Sequence, residues 1–498
     1  MSENEKDKES DVRKKVIVFD ESKFNFAKLV INDLSSTGEG RSFLKKYKQS
    51  EVRDMIENFK NPKNQEKLRE ISIMLYAKSP QYKRLLRYFS GMALFSHVIT
   101  PAKDIRRYSK NRVINQYTEI GELLKIINLK HEMSKVMTSA FIEDVFYGYI
   151  HKSKSDFYIQ KLSADICKIS HVEDGVYNFS IDMEYFRTNE KRLIGWADEV
   201  VEKYNAWKIL KDKNRSLDNW VELDAKNTIC IKINEEMLEI FPPFAGSFDS
   251  IFDIEGFKKL RKDREEIQNY MIVSQKLPMR TDSDNNNDFL IDEDMMMFFH
   301  NMASETVPDS VGVITSPMEL EALKFDKDRV DSDGVAKATR DFWEGSGTSQ
   351  LLFNSDKSTS AGLLNGIKAD EEIVFDVLTQ IERWLNRYLK FNFKELLFNV
   401  SILDVTYYNR KEMFDMYIQS GQYGFPVKNH ISATIGFSPI ETMNMAYLEN
   451  DLLEMHEEFI PLKSSHTMSD SDESAGRPEK EDDEKSDETL RGEDKPNA

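Results

Sequence analysis

The sequence predicts an α+β protein, mainly helical and built from several subdomains. Three observations lead there. The chain has 498 residues, beyond the size at which a single core keeps growing. Apolar residues recur every three or four positions through most of 41–145 and again through 361–390, the spacing of helices with one buried face. Between 145 and 185 the texture changes to short β-branched and aromatic runs separated by turn residues.

Taken in order, residues 1–15 are too polar to bury anything and are expected to be disordered. Helices follow in "RSFLKKYKQSEVRDMIENF", "NQEKLREISIMLYAKS" and "SPQYKRLLRYFSGMALFSHV". The last has Ser79 as N-cap and Pro80 at its first helical position. "VFYGYIHK", "DFYIQKL", "ICKISHV" and "VYNFSIDM" read as strands, with Glu173-Asp174-Gly175 as a turn. A helix over 189–210 and strands "WVELD" (220–224) and "TICIKIN" (228–234) complete the first half.

Pro242-Pro243 then punctuates the chain. Residues 246–278 read as one long helix with the apolar stripe Phe257, Leu260, Ile267 and Met271. The block Lys258 to Glu266 interrupts it, with eight charged residues in nine. A helix polar on most faces is either solvated or packed among copies of itself. "TDSDNNND" (281–288) is a loop, and a small α/β segment follows. It contains a helix around 293–303 and strands at 311–315 and 320–326. Residues 328–344 return to helix, so an insert is mounted between two helices.

The stretch "GSGTSQLLFNSDKSTSAG" (345–362) is a flexible small-residue loop with an apolar tip, Leu351-Leu352-Phe353. Next comes the clearest amphipathic helix, about 361–390, with Leu364, Ile367, Val374, Leu378, Ile381, Leu385 and Tyr388 on one face. A strand at 396–408 and helices at 409–420 and 438–457 follow, the last opened by Ser438-Pro439-Ile440-Glu441 as a capping box. From about 464 the chain is a polar tail, expected to be disordered. Residues 470–498 hold twelve Asp/Glu against five Lys/Arg.

A net charge of −18 argues against electrostatic wrapping of nucleic acid, which needs cations against phosphates. It is compatible with letting nucleic acid pass. Two cysteines, Cys167 and Cys230, make no disulfide framework and fit a reduced intracellular setting. The best apolar window, 88–102, is too short and interrupted to span a bilayer, so a soluble cytosolic protein without membrane association is expected. No phosphate loop, dinucleotide fingerprint, HExxH, CxxC, EF-hand or GxSxG pattern occurs. His300 and His456 lie on helices and are read as structural or exposed; "DEDMMM" lacks partner acids for a two-metal site. No metal, cofactor or catalytic residue is expected. The run Met295-Met296-Met297 with Phe298-Phe299 is read as core, with a partner interface as the alternative.

Several strings, in this order, resemble the portal proteins of tailed bacteriophages, particularly long-tailed phages of Gram-positive bacteria. They are "YAKSPQYKRLLRYFSGMALFSHVITP" (76–101), "PPFAGSFDSIFDIEGFKKLRKDREE" (242–266) and "VPDSVGVITSPME" (307–319). "FWEGSGTSQLLFN" (342–354), "IERWLNRYL" (381–389), "SATIGFSPIET" (432–442) and "GRPEKEDDEKSDET" (476–489) continue the series. The likeness spans about residue 40 to the end, and the order is more specific than any one string.

The resemblance implies a ring, generally dodecameric, at one capsid vertex of the virion, assembled in the host cytoplasm. Residues 16–241 would form the wing, 246–278 and 327–344 the stem helices, and 279–326 the clip. Residues 345–362 would be the tunnel loop, 363–391 the long helix from wing to crown, and 392–463 the crown with wing-associated parts. Residues 464–498 would remain a tail. Double-stranded viral DNA would pass without sequence recognition.

Ser349, Gln350, Asn354, Ser355 and Lys357 would then make weak backbone contacts to that DNA. Leu351, Leu352 and Phe353 would form a loop–loop contact around the ring, or else a steric tip against the duplex. Lys258, Lys259, Arg261, Lys262 and Arg264 become channel candidates, with interleaved acids absorbing much of their charge between subunits. Met295, Phe298, Val311 and Val313 become candidates for docking of the terminase large subunit and then of head-completion (adaptor) proteins. Scaffold and major capsid proteins would contact the wing. The protein itself would not be an enzyme. Two other classes remain open: a metal-dependent nuclease with an unrecognised carboxylate site, and a generic head scaffold protein.

Overall fold

The computed structural model describes residues 47–455 apart from 189, 270, 277, 279, 281–289, 307–310, 317–333 and 349–359. The expected disordered stretch 1–15, the loop 281–288, the strand 320–326, His456 and the tail 464–498 lie outside the described residues. Within them the fold is α+β, mainly helical with small sheets.

Helices α1 (Gln49–Glu57), α2 (Pro62–Lys78) and α3 (Pro80–Ser90) open the fold. The Asn61 side chain accepts from the Lys63 amide at the start of α2. Ser79 accepts from the Tyr82 amide at 3.3 Å, so the cap read from the sequence is in place ahead of Pro80. The third helix stops earlier than its periodicity predicted. It ends at Ser90, and His97–Pro101 is strand β1. The β-branched Val98 and Ile99 find an antiparallel partner at Phe398–Ile402, too remote in sequence to leave a local trace.

Helices α4 (Lys110–Ile127) and α5 (Leu129–Glu143) precede β2 (Val145–Lys152), β3 (Phe157–Leu162), β4 (Cys167–Glu173) and β5 (Val176–Asp182). All four predicted strands are present. Helix α6 spans Asp198–Lys213, starting later than predicted because one helical turn at Glu184–Arg187 and a 3₁₀ turn at Glu190–Leu193 come first. Strands β6 (Trp220–Glu222) and β7 (Thr228–Lys232) complete two three-stranded sheets, ordered β3-β2-β7 and β4-β5-β6. Gly148 in central β2 admits no side chain: a Cβ would stand 2.6 Å from the Phe146 ring and 2.7 Å from Ile159 and Ile229.

Beyond these lie α7 (Phe248–Asn269), β8 (Met271–Lys276), α8 (Glu293–Thr306), β9 (Val311–Ser316) and α9 (Gly334–Gly345). Helix α10 (Ser360–Asn392), β10 (Phe398–Ile402), α11 (Arg410–Gln422) and α12 (Lys428–Ile435) follow. Helix α12 was not expected. The predicted strand 396–408 is ladder only to Ile402, continuing as an isolated Ala93–Thr406 bridge. Residues 441–455 belong to a second unit, where the helix begun at Pro439 runs to Tyr447 and gives way to a π turn at Leu448–Leu452.

Helix α10 runs through the main core. Of its predicted apolar face, Ile367, Val374, Leu378, Ile381, Leu385 and Tyr388 are buried, while Leu364 is 54% exposed. Val377, Trp384 and Leu389 are buried too, because both flanks of the helix are covered. The Trp384 indole donates to the Thr228 carbonyl at 3.0 Å. One hydrophobic cluster joins this helix to α2, α3, α5, the start of α7 and the end of α9.

Three carboxylates of α10 are held inside. Asp370 accepts from the Tyr88 hydroxyl at 2.9 Å, Glu371 from the Thr406 hydroxyl, and Glu382 from the Ile402 amide at 2.7 Å. Burial raises each above the ordinary carboxylate range. A raised folded-state pKa gives stability that is present below the ordinary carboxylate pKa and lost as pH rises through the raised value. Asp370→Asn keeps an acceptor for Tyr88 and removes the buried charge. Its melting temperature should therefore exceed that of the parent at pH 7, with the gap closing towards pH 4. A gap independent of pH in calorimetry would contradict this reading.

Candidate functional site

Helices α7 and α9 lie side by side. A Cβ on Gly334 would meet the Phe257 ring at 3.1 Å, and one on Gly345 would meet the Ser250 hydroxyl at 3.9 Å. Rising numbers on one helix thus meet falling numbers on the other, and the pair is antiparallel. At one end it is rooted in the core through Phe248, Ile251 and Ile254 of α7 and Ala338, Phe342 and Trp343 of α9. The Phe342 and Trp343 rings pack edge to face, centroids 4.9 Å apart.

Polar contacts fix the same end. Asp249 takes two hydrogen bonds from Arg53, at 3.0 and 2.6 Å, and a third from Gln49 at 2.6 Å. Partial burial works to raise this carboxyl, but the Arg53 and Gln49 donors hold it below its ordinary value. Towards the other end the pair is charged and exposed. Lys258 is exposed and pairs with Glu255 one turn back, at 3.5 Å. Arg261 is exposed on the same helix. Lys259, Lys262 and Arg264 lie on α7, and their side chains are outside the described residues.

The predicted helix over 246–278 is corrected here. It ends at Asn269, and "MIVSQK" becomes strand β8. Met271-Ile272-Val273 suit a ladder better than a charged helix, and β9 supplies one, in parallel register from Met271↔Val311 to Lys276↔Ser316. A parallel pair requires a long crossover, which here carries α8. The insert is therefore a β–α–β unit; its first strand was missed and its helix and second strand were foreseen.

Helix α8 also overturns the core reading of its Met-Phe run. Met295 is 56% and Phe298 62% exposed; Met297 and Met302 are exposed as well. Flexible thioethers and aromatic rings in water form an adaptable apolar surface. Val311 and Val313 stand on β9, their side chains outside the described residues.

At the rooted end, α9 runs into the small-residue loop. The Ser346 hydroxyl donates to the Trp343 carbonyl at 2.8 Å and lies 2.9 Å from the Thr348 hydroxyl. Both side chains are buried, and Gly347 between them has φ +75°, a conformation glycine adopts without strain. The base of the loop is thus locked by its own hydroxyls. Ser349, Gln350, Leu351, Leu352, Phe353, Asn354, Ser355 and Lys357 lie outside the described residues; α10 begins at Ser360.

One polar network was not foreseen. Asp144, fully buried with φ +72°, accepts from Lys232 Nζ at 2.9 Å and from the Asn234 amide at 3.0 Å. It also accepts from the Asn234 side chain at 2.8 Å and the Phe241 amide at 3.2 Å. Gln380 of α10 exchanges two hydrogen bonds with the Lys232 backbone, at 3.1 and 2.7 Å. The helix leaving the loop is thereby pinned to the sheet. Charged residues read as surface in a sequence, and only the turn-prone Asp144 at a helix–strand junction hinted otherwise.

Among the described residues no group of three or more His, Cys, Asp or Glu could hold a metal ion. Among them, too, no helix is long and apolar enough to cross a membrane.

No protein-family model and no curated protein matches the chain. Among solved structures, it is similar to a chain of the virion of a native gene transfer agent particle, with TM-score 0.41 and 12% identity over 76% of this chain and 95% of that one. A chain from the neck of the empty particle, computed with C6 symmetry, matches with TM-score 0.41 and 13% identity over the same shares. Another, from the neck of the native particle computed with C12 symmetry, matches with TM-score 0.39 and 12% identity, again over 76% and 95%. TM-scores this low carry no argument about activity.

Proposed function

We propose that the chain is a portal protein: a subunit of a ring, dodecameric by resemblance, at one capsid vertex. Through it viral DNA enters during packaging and leaves during ejection. What supports the reading is one arrangement. An antiparallel helix pair bears a β–α–β insert whose helix is exposed, and from its rooted end a small-residue loop leads into a 33-residue helix embedded in the main core. The order of these parts is that of the resembling strings.

In this reading α7 and α9 are the stem, the insert is the clip, and 345–362 is the tunnel loop. Cations and acids alternate along α7, as in the Lys258–Glu255 pair, so its charge is largely neutralised within the ring. A chain of net charge −18 offers phosphates few deep wells, and DNA slides instead of sticking. The exposed Met295 and Phe298 surface suits successive partners, the terminase large subunit and then an adaptor, because flexible apolar side chains repack for each. Capsid and scaffold proteins would meet the wing. The chain would act as a conduit in the virion, assembled in the host cytoplasm, and catalysis would belong to the terminase.

Negative-stain microscopy of the purified protein tests this. Rings with a central hole are expected. Monomers with divalent-metal-dependent DNA cleavage would support the nuclease reading, and rods would support a scaffold.

A further inference from the structure

A second site lies on the wing. Between α2, strand β4 and the loop 235–240 is a groove of about 740 Å³, lined among others by Arg69, Tyr147, Ile169, Val172, Leu238 and Ile240. Its floor is polar. Tyr147 is 1% exposed, its hydroxyl buried near the Ile169 backbone. Arg69 is 7% exposed and pairs with Asp165. Its rim is mixed: Val172 is 57% and Leu238 95% exposed, and the exposed Lys63, Glu66, Lys168 and Glu235 stand among them. Among the described residues one wall, β4, is an edge strand, hydrogen-bonded only to β5 within its sheet. An open groove with apolar patches beside a sheet edge suits an extended peptide carrying apolar side chains.

We infer that this groove is the seat of the chain's own residues 16–19, Val16-Ile17-Val18-Phe19. The described chain begins at Tyr47, whose hydroxyl donates to Glu70 at 2.9 Å. Glu70 lies one turn beyond Glu66, which lines the groove, so the chain enters beside it. Residues 1–46 lie outside the described residues, and 16–19 are the first apolar run among them, β-branched and aromatic throughout. The 28 residues from Phe19 to Tyr47 reach roughly 90 Å when extended, so length does not limit docking. Tethering raises the segment's local concentration well above that of a second copy. Strand β4 bulges between Ile169 and His171, which interrupts its ladder; apolar side chains therefore provide most of the contact, and backbone pairing less. The inference is independent of the portal reading.

Photo-cross-linking in the full chain tests it, with Phe19→p-benzoylphenylalanine as the probe. Cross-links within one chain to 62–69, 165–172 or 235–240 are expected. Cross-links only between copies, only to other regions, or none at all would overturn it. A second measurement follows amide exchange over β4. The double substitution Ile17→Asp and Phe19→Asp should speed exchange there about tenfold or more while leaving α10 unchanged. Unchanged exchange over β4 would also overturn the inference.

Discussion

Lys232→Met should lower the melting temperature by roughly 5 °C, from a loss of about 3–5 kcal/mol. The ammonium it removes is the partner of a carboxylate with no exposure at all, 2.9 Å away. Breaking one side of a buried pair leaves the other charged in a medium that cannot solvate it. Burial already raises Asp144 above the ordinary carboxylate range, and Lys232 is the main influence opposing that rise. Without the lysine, Asp144 is raised further, so stability is lost as pH increases through the new value. The deficit should be larger at pH 8 than at pH 5. A deficit equal at both, or below about 1 kcal/mol, would show that the pair is not the anchor described here.

Deleting residues 349–357 should leave ring assembly intact and abolish retention of packaged DNA. Assembly survives because the anchors lie outside the deletion: Phe342 and Trp343 in the core, Ser346 and Thr348 locked at the base. An equal-length Gly/Ser replacement separates chain connectivity from side-chain content. If it behaves like the deletion, Leu351-Leu352-Phe353 and their polar neighbours are the working part. Heads filled and retained normally with either variant would remove any essential role for the loop.

How much of this was legible beforehand follows from where each partner lies in the sequence. Strands β2 to β5 were readable because each pairs with a near neighbour across a short turn. Strands β1 and β8 were not, because their partners β10 and β9 are remote, and local periodicity favoured helix. The buried face of α10 was readable from its spacing. Its buried Asp370, Glu371 and Gln380 were not, since polar residues signal burial only once their partners are known. The order helix, insert, helix, loop, helix was legible as pattern. Whether Met295 and Phe298 faced a core or water was not, because composition is the same for a core and for a partner surface.

The central claim is that copies of this chain close into a ring with 345–362 turned towards a shared bore. A cryo-electron microscopy reconstruction of the purified full-length protein tests it most directly. The account predicts a closed annulus, with the 345–362 segment turned to the narrowest part of its channel and the β–α–β inserts gathered at one end. A ring with these residues at its outer rim, or particles without a central opening, would contradict it.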